Sequence, residues 1–297
     1  MSNINVDVGN NSSLPISEFM LMNMCEHAAI VMIAKRASGK SWVCRAILKK
    51  FRDIPVGIII APTERMANPP FYSDFFPDAY IHYDYKSEII EKLLYRQDTM
   101  LAKQVDKQKL GINIDPRGFI LMDDCLSKKG SWAKDQPILE LLFNGRHYRL
   151  MYMLTMQFPL GISPELRGNF DYIFLLKEEF YSNLKRLYEH YAGMFPTFES
   201  FRQVFKELTK KHGCMVIDNR NTDGGFLSQI YWFRATNDDV AMMGCKQFVN
   251  NHTDNFNPEW RRKNQKFNIE TFAGKGKAKK NFTVNKINKD GENVIDD

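Results

Sequence analysis

The chain has 297 residues and a mass of 34.7 kDa, with 44% hydrophobic and 26% charged residues and a net charge of +6. That composition is too apolar for wholesale disorder and fits one sizeable core, and no apolar run approaches the roughly 20 residues needed to cross a bilayer. Five widely spaced cysteines (Cys25, Cys44, Cys125, Cys214, Cys245) with no CxxC pair speak against a disulfide scaffold or a cysteine zinc site.

Residues 1–18 are polar and read as a flexible segment; they contain no cationic start followed by an apolar stretch, and so no secretory signal is expected. Ala28 to Ile33 is a continuous apolar run and reads as a buried strand. A loop of small and basic residues follows. A helix is expected from Lys40 to about Phe51, with Val43, Ile47 and Leu48 on one face. Val56–Ala61 is a second strand, bracketed by Pro55 and Pro62, and Tyr80–Tyr83 a short third. Ile89, Ile90, Leu93, Leu94, Met100, Leu101 and Val105 mark a helix over 87–109. Phe119–Met122 is the next strand, and a helix from Pro137 stops near Gly145. Strands follow at Leu150–Thr155 and Tyr172–Leu176. Residues 180–211 read as helix broken between Gly193 and Pro196. Cys214–Ile217 and Ile230–Phe233 form a terminal hairpin turning near 221–225. Buried strands alternating with amphipathic helices predict an α/β fold with a mostly parallel central sheet flanked by helices. The globular domain is expected over 19–246, and 247–297 as a polar, basic tail.

The charge sits in that tail. Arg261, Arg262, Lys263, Lys266, Lys275, Lys277, Lys279 and Lys280 face a single acid, Glu270, within 261–280, which leaves the body nearly neutral. Such a segment attracts polyanions by counterion release, or serves as a solvated end.

Three elements carry chemistry. The first strand runs into Ala34-Lys35-Arg36-Ala37-Ser38-Gly39-Lys40-Ser41, the GxxxxGK[ST] pattern with Ala at its first position. Successive amides in a tight loop before a helix N-terminus cradle phosphate. Lys40 would reach the β- and γ-phosphates of ATP, and the Ser41 hydroxyl would bind Mg²⁺. Phe119–Met122 ends in Asp123 and Asp124; Asp123 suits the metal, and Asp124 suits orientation of an attacking water. Gln157 ends the 150–155 strand, on the edge where open α/β sheets bind ligands.

Ala34–Ser41, Phe119–Asp124, Asn144-Gly145-Arg146-His147 and the strand ending at Gln157 together resemble the FtsK–HerA superfamily of P-loop ATPases. Within it, the chain is most similar to the genome-packaging ATPases of nucleocytoplasmic large DNA viruses. The resemblance covers about residues 25–235. It implies a RecA-like P-loop NTPase of the ASCE group, with the Gln157 strand inserted between the phosphate-loop strand and the acidic strand. It further implies a homo-oligomeric ring, usually a hexamer, acting on double-stranded DNA in the virus factory of the host cytoplasm or in the virion, with capsid or portal-region proteins as further partners. Arg146 is the residue expected to complete a neighbour's site, with Arg149 and Arg167 as competitors. Lys128, Lys129, Lys210, Lys211 and the tail are candidate DNA contacts, with Trp132 nearby. Two other readings stay open: a P-loop kinase of small nucleosides or nucleotides, and a structural DNA-binding virion protein with a vestigial nucleotide site, which the Ala34 and Asp124 departures would fit.

Overall fold

A computed structural model describes residues 2–7, 13–125, 134–221 and 225–257. Ten strands occur among them: β1 (Asn3–Asp7), β2 (Ser13–Ser17), β3 (Ala29–Ile33), β4 (Val56–Ile60), β5 (Ile81–His82), β6 (Gly118–Asp123), β7 (Leu150–Met156), β8 (Tyr172–Leu176), β9 (Cys214–Asp218) and β10 (Ile230–Phe233). The helices are α1 (Lys40–Lys50), α2 (Ser87–Gln108), α3 (Gln136–Asn144), α4 (Pro164–Arg167), α5 (Tyr181–Tyr191), α6 (Phe198–Leu208) and α7 (Lys246–Asn255).

Strands β3 to β10 form one eight-stranded sheet in the order β10-β9-β8-β3-β7-β6-β4-β5. The neighbours from β8 to β5 pair in parallel, while β9 runs antiparallel to β8 and β10 to β9. Every residue of β6 and β7 is buried. That is why their sequences are unbroken apolar runs, not alternating ones: helices cover both faces. The period of two survives in which core each side chain joins. Val31, Ile33, Ile120 and Met122 point into the layer with α2, α3, α5 and α6, whereas Ile30, Met32, Phe119 and Leu121 point into the layer with α1 and α7. Strands β4 and β6 approach closely because residue 57 is glycine; a Cβ there would lie 2.2 Å from the Phe119 ring.

The α5–α6 break falls where expected. Thr197 caps α6 by accepting from the Ser200 amide, and the Ser200 hydroxyl returns a reciprocal contact. The expected order of the three motif strands is also observed: β7 lies between β3 and β6.

Three expectations need correction. Residues 1–18 do not all lie loose, because β1 and β2 form an antiparallel hairpin whose Val6 and Ile16 are buried in the main core. Two well-placed apolar side chains among polar neighbours suffice to dock such a hairpin, and composition averaged over the segment hides them. The strand at 80–83 shrinks to the two residues of β5. At the other end, part of the segment assigned to the tail belongs to the body. Phe248 of α7 is buried, and its ring stacks on Tyr80 at 3.9 Å between centroids.

Candidate functional site

Everything proposed for nucleotide chemistry, with exceptions given below, meets at the carboxyl ends of β3, β6 and β7. At the end of β3, the Ala34 amide bonds the Met156 carbonyl at 2.9 Å, so Ala34 prolongs the strand pairing. It is buried and has no positive φ, which explains why the first motif position tolerates a side chain. The left-handed turns fall instead at Ala37 (φ 60°) and Gly39 (φ 98°). These curl the loop before α1. That helix begins with no side-chain cap and no acid in its first turn. A helix N-terminus with free amides beside a lysine is a ready anion site.

Lys40 reaches across to the acidic strand. Its ammonium lies 3.3 Å from Asp123 Oδ1 and 3.8 Å from Asp124 Oδ2. Thr155 of β7 stands directly opposite Asp123 in the strand register. Its hydroxyl donates to Asp123 Oδ1 at 2.5 Å and accepts from the Asp124 amide at 3.0 Å. The second oxygen of Asp123 accepts from the Tyr72 hydroxyl at 2.8 Å. Burial, and after it the Asp123 charge, push the Tyr72 phenol well above its ordinary range, so it remains a donor. Asp124 has φ 57°. Short acids tolerate that left-handed geometry better than longer side chains do, which fits aspartate at this position. The Gln157 amide donates to the Asp124 carboxylate.

Lys40, Asp123, Asp124 and Gln157 line a cleft of about 630 Å³ together with Lys35, Arg36, Ala37, Gly39, Ser41, Trp42, Thr63, Phe71, His212, Ala235 and Asn237, while Thr155 and Tyr72 lie behind it. Two expected loop residues, Ala34 and Ser38, do not line it. Ala34 is held in the sheet, and the Ser38 hydroxyl turns inward to the Lys35 carbonyl at 2.7 Å. Lys35 pairs with Glu179 at 2.9 Å. Hydrogen bonds first from Lys177 and then from Lys35 hold the Glu179 carboxyl down at about 2.

For a divalent ion, the Ser41 hydroxyl and the Asp123 carboxylate are oxygen donors of the kind magnesium takes. Among the described residues no three His, Cys, Asp or Glu side chains gather as a metal cage. An ion here would be shared with phosphate oxygens, which suits magnesium in a nucleotide site.

Arg146 is not brought to this cleft. It pairs with Asp171, which brackets Ala29 at the start of β3 through the Ala29 amide and carbonyl. That is the opposite edge of the sheet. Arg146 remains largely exposed at 62%. Arg149, at the foot of β7, lies beside His27 and Arg117 in a separate hollow. Arg167 is satisfied internally, bonding the Ile162 carbonyl at 2.8 and 3.0 Å and lying over the Tyr191 ring. Lys210 is tied to Glu207 at 2.6 Å, and Lys211 adjoins His212 on the cleft wall. Lys128, Lys129, Trp132 and the tail lie outside the described residues.

Sequence reasoning missed Tyr72, Thr155, Trp42, Phe71 and His212. Thr155 carried a signal, a hydroxyl two residues before Gln157 on an otherwise apolar strand. His212 carried none, because its approach to within 3.7 Å of a Cβ built on Gly39 depends on the long-range docking of β9.

Comparison with known proteins places the chain. No family model matches it. Protein L437 of Acanthamoeba polyphaga mimivirus is 46% identical over 279 residues, 94% of this chain and 97% of that protein. Protein 075L of Invertebrate iridescent virus 6 is 33% identical over 235 residues, 78% of this chain and 87% of that protein. The chain belongs to this family of large-DNA-virus proteins. Protein 015R of Frog virus 3 is a more distant relative, 26% identical over 74% of this chain and 66% of that protein. Among solved structures, the fold of this chain is similar to those of an NTPase and an ATPase. One is the genome packaging NTPase B204 of Sulfolobus turreted icosahedral virus 2 in complex with AMP, at TM-score 0.49 and 16% identity over 72% of this chain and all of that one. The other is EssC (ATPases 2 and 3) of Geobacillus thermodenitrificans, at TM-score 0.46 and 14% identity over 85% of this chain and 48% of that one. Among the described residues of the viral protein, no helix is long and apolar enough to cross a membrane.

Proposed function

We propose that the chain is an ATP-hydrolysing DNA translocase that packages a double-stranded viral genome, working as a ring in the virus factory or the virion. The observation that carries this reading is the convergence of Lys40, Asp123, Asp124 and Gln157 on one cleft through the β3-β7-β6 strand order. Amides of the 35–41 loop and the Lys40 ammonium hold the triphosphate. Ser41 and Asp123 would hold magnesium, whose positive charge would help neutralise the phosphates. Asp124, oriented by Gln157, accepts a proton from the attacking water or holds it in line. Arg146 of one copy serves the cleft of the next, where a guanidinium stabilises charge that develops on the γ-phosphate oxygens. The exposure of Arg146 and its distance from its own cleft support action on another copy.

Phosphate release from ATP, measured with and without long duplex DNA, tests this reading. Stimulation by DNA in the wild type and loss of turnover in Lys40→Ala are expected. Phosphoryl transfer to a nucleoside, or turnover indifferent to both DNA and Lys40, would replace it with a kinase or a vestigial site.

A further inference from the structure

We propose that Tyr72 is a positioning residue of the metal site, its hydroxyl holding the Asp123 carboxylate to which magnesium is assigned. This rests on the nucleotide-site reading above.

Tyr72 belongs to the segment between β4 and β5, far in sequence from both motifs. It is 2% exposed and does not itself line the cleft, but it touches Asp123, which does. Its hydroxyl donates to Asp123 Oδ2 at 2.8 Å. With Thr155 on the other oxygen, the Asp123 carboxylate has a donor on each side and its plane is fixed. A phenol that stays protonated can only donate to a carboxylate, so the contact orients Asp123 without competing for the ion's charge.

The ring itself cannot swing away. Buried Glu64 accepts from the Tyr72 and Ser73 amides at 2.8 and 3.2 Å. The ring meets Phe71 and Phe75 edge to face, at 5.2 and 6.1 Å between centroids. Arg45 of α1 pairs with Asp74 at 3.1 Å and lies 5.0 Å over the Phe75 ring, so the segment is tied to the helix that bears Ser41. The hydroxyl is therefore held in place before any ion arrives. Groups that orient metal ligands in this way are worth about 10–100-fold in metal affinity.

A purely structural tyrosine would merely satisfy its buried hydroxyl on the nearest carboxylate. Metal affinity separates the two roles. Mn²⁺ is titrated by electron paramagnetic resonance onto ADP-saturated wild type and Tyr72→Phe, and ADP affinity is measured in EDTA. Phenylalanine keeps the packing and removes the hydrogen bond to Asp123. Mn²⁺ should bind about tenfold more weakly to the variant, with metal-free ADP affinity within about twofold. Glu64→Ala, which frees the Tyr72 backbone without touching the hydroxyl, should shift Mn²⁺ affinity in the same direction by less. Wild-type Mn²⁺ affinity in both variants overturns the proposal and leaves the nucleotide site standing. Failure of the wild type to bind ADP removes the nucleotide reading, and this inference with it.

Discussion

The Gln157 side chain donates its amide hydrogen to the Asp124 carboxylate, joining the tips of two neighbouring strands, β7 and β6. The two residues act as one unit, and their substitutions should not add. Asp124→Asn is expected to lower kcat by about 10²–10⁴ while ATP still binds. Gln157→Ala should cost less. The double variant should be no slower than Asp124→Asn alone, which a double-mutant cycle on steady-state turnover will check.

Among the described residues, Lys40 is the one lysine that faces both acids, at 3.3 and 3.8 Å. Lys40→Ala should weaken nucleotide binding and reduce hydrolysis by at least about 10²-fold, as loss of a single charge-stabilising donor does elsewhere. Equilibrium binding of a fluorescent ATP analogue, compared with turnover, separates the two effects.

Arg146 reaches Asp171 and not its own cleft. Arg146→Ala alone should be inactive in hydrolysis yet bind ATP normally. Mixed with Lys40→Ala, it should regain turnover, because each variant supplies what the other lacks at some interfaces. Mixtures as inactive as either parent would assign the residue a local role.

His82 ends β5, and its imidazole titrates lower than usual because of burial first and then Lys86 and Lys92; His27 is lowered by burial first and then Arg149. Both therefore favour the neutral form in the fold. The stability this gives is fully present above about pH 6.5 and is lost as pH falls through the lower folded-state value. The thermal midpoint should drop between about pH 7 and pH 5, and His82→Gln should flatten that drop.

Ile16 is 1% exposed and docks the N-terminal hairpin onto the core. Ile16→Ala should cost about 2–5 kcal/mol, read as a shift of the urea midpoint. A surface hairpin of no structural weight would leave the midpoint unmoved.

Much of this was legible in the sequence because continuous apolar strands such as Phe119–Met122 end in residues of a different chemistry, and the end of a parallel strand is where such residues converge. Asp123, Gln157 and Lys40 could be placed on one edge for that reason. Tyr72 and His212 could not, since each reaches the site through a connection whose path no local pattern encodes. The hairpin at 3–17 was hidden by its polar composition, although two buried side chains anchor it. Arg146 was visible as a residue near β7, but its edge of the sheet followed only from its contact with Asp171.

Opposite placement of Lys40 and Arg146 on one chain has a geometric corollary. In a row of copies that all point the same way, a contact that carries the arginine of one copy to the cleft of the next joins two unlike surfaces and is heterologous. An open row of that kind ends in a cleft that no guanidinium reaches, and closing it would complete every cleft.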